Sequence, residues 1–559
     1  METPTGENRH GSGWTSAAVG GLCFAGFIYS ALPAGVAAVN DDFGYLRSVV
    51  ATLQHGRPLT DDWLEPWSAG LSALSALAYI LAGSFRLATQ GVQAALAGVA
   101  FFALVQLLRG RGTGTTLSLT AAAALLTVPT VHWKMLEYTG LIVSLPCLLL
   151  ALLAADRRHW GWFFAIWAVA LTTRQSAAAW GMLPLVAAAR AWRESDDAGR
   201  WWRPALTLAG GATVYLLAGI GMNKTHAQVS VMDRMFENLL MSRAAELAGI
   251  GTLVFIGAAG IGTLLLPTVR RRPQHGYWLM AAGVVAGISG LIEWHDRIYL
   301  EHARYGGAGT AYLPAWLALG ATGWLLGRFR LNVAECCAGA AALLLVCLRR
   351  DVWDYYLIDV FVFGLFASRS AVSAEIASPS ATRLQRWVTG LAAASVLGVH
   401  GIFIAEFKAE TDRRWAEINL AERALRESRM DVRAIRLLPF GYVGWELFPA
   451  SLHRTTDGRT EGANFYDYLE EGGHAVRLSA VSRLPGRHAD APEGQPHTVV
   501  LEDSYPFLWC GRANFQLIRL AAGPSASPKR PVPEGFIRPV FPLTDAEWAA
   551  LIVGERPSS

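Results

Sequence analysis

The chain has 559 residues, of which 53% are hydrophobic and 16% charged, with a formal net charge of +4. Soluble domains carry closer to about 25% charge, so much of this sequence is built for a solvent other than water, and its small net charge gives no basis for nucleic-acid binding. The 6 cysteines form no Cys-x-x-Cys pair and no Cys/His cluster, which leaves neither a disulfide framework nor a zinc site supported.

Apolar runs recur along the first 405 residues at the length that crosses a hydrocarbon core of about 30 Å. The first, Trp14 to Ala38, lacks a strong basic leader and reads as a retained span rather than a cleaved signal. A long polar and amphipathic stretch, Val39 to Arg86, follows. Further spans are expected at Thr89–Leu108, Thr115–Val131, Gly140–Ala155, Gly161–Thr172, Ser176–Ala189, Pro204–Met222 and Ala248–Leu266. The last set is Gly276–Leu291, Thr310–Gly327, Val333–Leu348, Trp353–Ala367 and Trp387–Ala405. The predicted fold class is therefore mostly α, a polytopic helical membrane protein with about thirteen transmembrane helices.

Loops on one side carry Arg109/Arg111, Arg157/Arg158, Arg190/Arg193/Arg200/Arg203, Arg270/Arg271/Arg272, Arg328/Arg330 and Arg369/Arg383/Arg386. The other side holds Asp41, Asp42, Asp61, Asp62, Glu65, Glu137, Asp233, Glu237, Glu293, Asp296 and Glu301. Cytoplasmic loops retain Lys and Arg during insertion. The acidic loops then face the extracytoplasmic side of the inner (plasma) membrane, and an odd number of spans puts the tail there too. Residues 1–405 are expected to form the membrane domain, with residues 39–86 as its first outer loop, and residues 406–559 a small extracytoplasmic α+β domain. In that tail, Glu406–Met430 reads as a charged helix, while Ala434–Phe440 and His497–Leu501 are candidate strands.

The first outer loop is the most informative stretch: Asp41-Asp42-Phe43-Gly44-Tyr45-Leu46-Arg47, then His55-Gly56-Arg57-Pro58, then Asp61-Asp62-Trp63-Leu64-Glu65-Pro66. Adjacent carboxylates at the outer end of a span repel and lose hydration, so one of them needs a partner. Such a carboxylate can take a proton from an attacking hydroxyl. It can equally hold a divalent cation, or simply cap the helix expected over Phe43–Gln54.

A first span, then Asp-Asp-x-x-Tyr, a helix ending in Gly-x-Pro, an acidic aromatic stretch and the amphipathic segment Ser68–Phe85 follow one another in order. This order resembles the GT-C superfamily of membrane glycosyltransferases, particularly the aminoarabinose transferase and protein O-mannosyltransferase branch. Two later stretches agree with it. His132-Trp133-Lys134-Met135-Leu136-Glu137-Tyr138 lies where the family places a second acidic residue, and Glu301-His302-Ala303-Arg304-Tyr305 precedes Tyr312-Leu313-Pro314. The resemblance covers residues 14–405. It implies an enzyme moving a hexosyl or pentosyl group from a polyprenyl-phosphate donor to an extracytoplasmic hydroxyl of a glycan, lipid or protein, in the biosynthesis of cell-envelope glycans.

By that resemblance Asp41, Asp42 and Glu137 are the catalytic candidates, and also the ligand set for a divalent cation, Mg or Mn, should one be used. No other cofactor is expected. Tyr45, Arg47, His55, Arg57, Arg174, Glu301, His302, Arg304 and Tyr305 are the candidates for binding donor or acceptor. The sequence departs from the branch where Gly44 replaces a basic residue and Glu65-Pro66 stands for a Lys-Pro pair, so Arg47, Arg57, Arg174 or Arg304 has to take the phosphate. Glu137 has a second reading, a loop carboxylate paired with Lys134, and Arg174 a second reading as structural partner of an outer carboxylate. Asp351-Val352-Trp353-Asp354-Tyr355-Tyr356 flanks a span and reads as an aromatic belt against the membrane lipids. The competing function class is a transporter or lipid-linked glycan flippase, which would place ionisable residues near the bilayer midplane in two repeated halves. No repeat is evident.

Overall fold

A computed structural model describes residues 8–32, 42–60, 68–193, 201–219, 243–265, 298–299, 319–321, 323–324, 329–348, 352–370, isolated positions between 397 and 405, 436–437, 475–482, 497–507, 511–520 and 549. In chain order the helices are α1 (Asn8–Ala31), α2 (Asp42–His55), α3 (Ala69–Ala82), α4 (Val92–Gly110), α5 (Thr115–Leu126), α6 (Pro129–Leu136) and α7 (Leu141–Asp156). Then come α8 (Trp160–Leu171), α9 (Met182–Arg193), α10 (Trp202–Gly219), α11 (Arg243–Leu265), α12 (Val333–Cys347) and α13 (Ile358–Ala367). A π-helical turn, Leu87–Gly91, leads into α4, and 3-10 turns, Gln175–Gly181 and Asp354–Leu357, lead into α9 and α13.

Three stretches, Gly13–Ala31, Leu87–Gly110 and Leu247–Leu265, are long and apolar enough to cross a bilayer. Thr115–Leu126 with Thr130–Leu136, bent by 74°, makes a fourth if the pair is one span. With the shorter apolar helices α7, α8, α12 and α13, the chain is a mostly helical membrane protein. Large apolar side chains such as Leu22, Leu81, Trp162 and Leu216 are exposed on these helices, as a hydrocarbon solvent allows.

Among the described residues, the predicted spans coincide with helices except at particular breaks. The first ends at Ala31 rather than Ala38, because Leu32 precedes Pro33 and the proline disfavours helical backbone before it. The predicted span Thr115–Val131 breaks at Thr127 because Pro129 has no N–H to continue α5 and instead opens α6. The span predicted at Gly276–Leu291 lies outside the described residues, as do most of Thr310–Gly327 and Trp387–Ala405.

The chain divides into two compact units. One comprises Met1–Tyr29, Pro66–Leu71 and Gln93–Phe403; the other comprises Ser30–Glu65, Ser72–Val92 and Ile404–Ser559. In the first unit, α1 and α4 approach at glycines. A Cβ on Gly21 would meet the Gly98 carbonyl at 2.8 Å, and one on Gly98 would meet the Gly21 carbonyl at 2.7 Å. Small residues of this kind let helix backbones pack where no hydrophobic effect drives them together.

One end of the first unit is tied together by Arg111. It donates to Asp156 at 3.2 and 3.3 Å, to Glu335 at 3.1 Å and to the Phe366 carbonyl, and its guanidinium lies 4.8 Å from the Phe366 ring. The end of α7, the start of α12 and the end of α13 therefore meet at one arginine. Thr113 Oγ1 donates to Leu265 O at 2.8 Å and adds the end of α11. Asn332 caps α12, its side chain accepting from Ala334 N at 3.3 Å. Among short strands, β1 (Ile298–Tyr299) pairs parallel with β3 (Val352–Trp353), and β2 (Phe329–Leu331) antiparallel with β4 (Ser368–Ser370).

The second unit contains α2, most of α3 and a four-stranded sheet. Its strands are β5 (Arg436–Leu437), β6 (Ala475–Ser482), β7 (His497–Phe507) and β8 (Gly511–Leu520), in the order β5-β6-β8-β7. β5 lies inside the segment Ala434–Phe440, and β7 begins with His497–Leu501. Helix α2 ends at His55, where Gly56 has φ +64°, the left-handed geometry that terminates helices. Beyond that turn Leu59 donates to Thr52 Oγ1 at 3.0 Å, and Ser72 Oγ donates to Leu59 O at 3.1 Å, which joins α2 to α3.

Candidate active site

Three chain breaks meet at the end of the first unit away from Arg111. The first is the α6–α7 connection. Lys134, in the last turn of α6, donates to Glu137 Oε2 at 2.5 Å, and both side chains are almost wholly buried. A short turn, with Thr139 N donating to Glu137 O at 3.0 Å, then opens α7. The 16 residues of α7 rise about 24 Å, so Glu137 and the Arg111–Asp156 contact lie at opposite ends of that helix.

The second break follows α8. Thr172 and Thr173 turn their hydroxyls back to the Val169 carbonyl, at 2.9 and 2.7 Å, competing with the helix for its own acceptors. Arg174 is then extended, with φ −155° and ψ 134°, and the 3-10 turn begins. Trp167 Nε1 locks that turn by donating to Ala177 O at 2.7 Å. Gly70 N donates to Thr172 O at 2.6 Å, beside the same break. The third break is the 3-10 turn before α13, which sets Tyr355 and Tyr356 with ring centroids 4.5 Å apart.

Tyr355 joins the three. Lys134 Nζ lies 4.1 Å from its ring centroid, and the Arg174 guanidinium lies 5.7 Å from the centroids of both Tyr355 and Tyr356. The negative ring faces attract both cations, more strongly once desolvated. Lys134 is matched by Glu137, but Arg174 Nη1 is buried and has no hydrogen-bond partner among the described residues. Asp359, three residues beyond Tyr356 in the first turn of α13, is 2% exposed, and both its carboxyl oxygens also lack a partner among the described residues. Buried polar groups without partners are costly and are rare in folded proteins. Their occurrence here sets Arg174 and Asp359 apart from the paired charges elsewhere among the described residues.

Of the residues predicted from sequence, Glu137 and Arg174 are thus brought to one aromatic pair. Glu137 is indeed paired with Lys134, but the pair is buried instead of sitting in loop solvent. Of Tyr355 and Tyr356, read as an aromatic belt, the first lies against both cations and the second against Arg174. Asp359 escaped notice inside an apolar run; an ionisable residue within a predicted span was the signal that could have found it. Asp42 opens α2 and Arg47 lies within it, their side chains being outside the described residues. Tyr45 is half-buried on α2, and His55 and Arg57 are exposed at its end. Asp41, Glu301, His302, Arg304 and Tyr305 lie outside the described residues. Among the described residues no three His, Cys, Asp or Glu side chains are gathered as a metal site.

The fold and site together define a helical membrane protein with a cationic, aromatic cluster at one end of its helices. No family model matches the chain, and no curated protein matches it. Among solved structures it is similar to the crystal structure of ArnT from Cupriavidus metallidurans bound to undecaprenyl phosphate. The identity is 15%, covering 90% of this chain and 98% of that one, with a TM-score of 0.43.

Proposed function

We propose that the chain is a GT-C-type membrane glycosyltransferase that moves a sugar from a polyprenyl-phosphate donor to an acceptor hydroxyl by inverting displacement. One observation carries this reading: Arg174 Nη1, buried beside Tyr355 and Tyr356, has no hydrogen-bond partner among the described residues. A guanidinium offers a planar fork to phosphate oxygens and stabilises the charge that grows on a departing phosphate. Lys134 adds a second positive centre, held in place by Glu137. Because the Arg-rich loops mark the cytoplasmic side, the Arg174 end of the helices faces the extracytoplasmic leaflet, where the donor enters laterally.

In the reaction, the acceptor oxygen forms a bond to the anomeric carbon while the bond from that carbon to the phosphate oxygen breaks. Asp41 takes the acceptor proton, and Asp42 orients the hydroxyl. The lipid phosphate leaves with the bonding electrons against Arg174, with Arg304 as a second contact. Phosphate is already a fair leaving group, so placing the acceptor and removing its proton are the main tasks of the protein.

The test is transfer in proteoliposomes containing a radiolabelled polyprenyl-phosphate sugar and an extract of envelope acceptors. Asp41→Asn is expected to abolish transfer while the protein inserts and stays folded. Arg174→Gln is expected to raise the donor KM sharply. Wild-type transfer by both variants overturns the reading, as does movement of the labelled lipid across the bilayer by a protein that never transfers its sugar.

A further inference from the structure

A cavity of about 770 Å³ opens at the other end of α8, lined among others by Arg158, Trp160, Trp162, Trp202, Arg203 and Leu206. It is built from the first turns of α8 and α10, which Thr207 Oγ1 joins by donating to Trp160 O at 3.4 Å. No carboxylate is among the described residues that line it. Among the described residues, no ion pair involves Arg158 or Arg203. The Arg203 guanidinium instead lies 5.4 Å from the Trp202 ring.

Arg158 closes α7. Its φ of 57° is the one positive value at a non-glycine among the described residues. Arg158 N donates to Ala155 O at 3.0 Å and His159 N to Ala154 O at 2.9 Å, the left-handed cap that ends a helix and fixes the backbone where this arginine meets the cavity. Below the arginines the walls are apolar and outward-facing: Trp162 is 71% exposed and Leu206 62%. An aqueous anion would use the arginines and leave these walls wet, whereas a phospholipid uses both.

We propose that this cavity is a binding site for an anionic glycerophospholipid, separate from the glycosyl-transfer site. Its phosphodiester sits between Arg158 and Arg203, and its acyl chains lie along Trp162 and Leu206. Tryptophans at headgroup depth are suited to this boundary, and basic pockets between helices select anionic headgroups. The two helix N-terminal turns that line the cavity add favourable partial charge for an anion. The site stands at the Arg-rich end of α8, so its lipid comes from the leaflet opposite the one that supplies the sugar donor.

The experiment is native mass spectrometry of the delipidated full chain offered equal phosphatidylglycerol and phosphatidylcholine. Each arginine contributes about fivefold, so the wild type should retain the anionic lipid about twenty-five-fold over the zwitterionic one. Arg158→Asn, chosen because Asn tolerates the left-handed backbone, combined with Arg203→Gln should bring that preference near unity at unchanged thermal stability. Arg190→Gln, on the same side but outside the cavity, should leave it unchanged. Equal retention of both lipids by the wild type overturns the proposal. So does an unaltered preference in the double variant, an equal loss in Arg190→Gln, or displacement of the lipid by millimolar inorganic phosphate.

Discussion

Lys134 and Arg174 share one ring: the ammonium lies 4.1 Å and the guanidinium 5.7 Å from the centroid of Tyr355. Two cations on one aromatic side chain gain its attraction while repelling each other, and a bound phosphate would relieve the repulsion. Tyr355→Phe keeps the ring and should hold transfer within about twofold. Tyr355→Leu removes it and should raise the donor KM by about tenfold or more with the chain still folded. Steady-state kinetics with the lipid-linked donor in proteoliposomes checks both; equal KM values for Phe and Leu would show the ring to be mere packing.

The Lys134–Glu137 pair separates charge balance from chemistry. Glu137→Gln strands a buried ammonium and should cost about 3–5 kcal/mol of stability. Replacing both residues by apolar ones, Lys134→Met with Glu137→Leu, should recover most of that loss, since a buried ion pair is often no more stable than its apolar substitute. Thermal unfolding in detergent measures this. Transfer should remain lost in the double variant, because the positive centre that Lys134 adds beside Arg174 is gone; recovered activity would reduce the pair to scaffolding.

Asp359 offers the opposite signature. Its buried carboxyl has no partner among the described residues and so burdens the fold; Asp359→Leu should stabilise the protein by about 1–3 kcal/mol. If the carboxyl serves the Tyr355–Arg174 end, the same variant should lose transfer by at least about tenfold, the exchange of stability for function common at working sites. A variant both more stable and fully active would mark Asp359 as a simple packing fault.

At the other end, Arg111→Gln should destabilise by about 3–5 kcal/mol, since it removes the guanidinium 3.1 Å from a Glu335 that is 2% exposed. Adding Glu335→Gln should return a large part of the loss. Both variants, once folded, should keep the wild-type donor KM, because Arg111 and Arg174 serve opposite helix ends. A raised KM would show the ends to be coupled.

Helix positions were legible from sequence because apolar length is a local property, and α4, α7, α8, α11 and α12 stand where the hydropathy puts them. Breaks were harder: Pro129 ends a run that looks continuous by composition, and its effect depends on the backbone rather than on polarity. Glu137 and Arg174 could be named because charges beside spans are conspicuous. Their meeting could not, since it depends on Tyr355, more than two hundred residues beyond Lys134 in the chain. Apolar length tells that a residue lies near the end of a helix, not which residues stand beside it around the circumference. An aromatic pair at such an end satisfies a belt and a binding site equally well, so only tertiary contact tells them apart.

Gly70 carries a mechanical consequence. It donates to Thr172 O, and a Cβ added there would strike the Thr172 and Thr173 side chains at 2.7 and 2.5 Å. The start of α3 and the stretch that presents Arg174 are therefore clasped backbone to backbone, with no compressible side chain between them. Tension on the one is delivered to the other undamped. A bulky residue at position 70 would act as a wedge, shifting the guanidinium without touching any group that meets the donor.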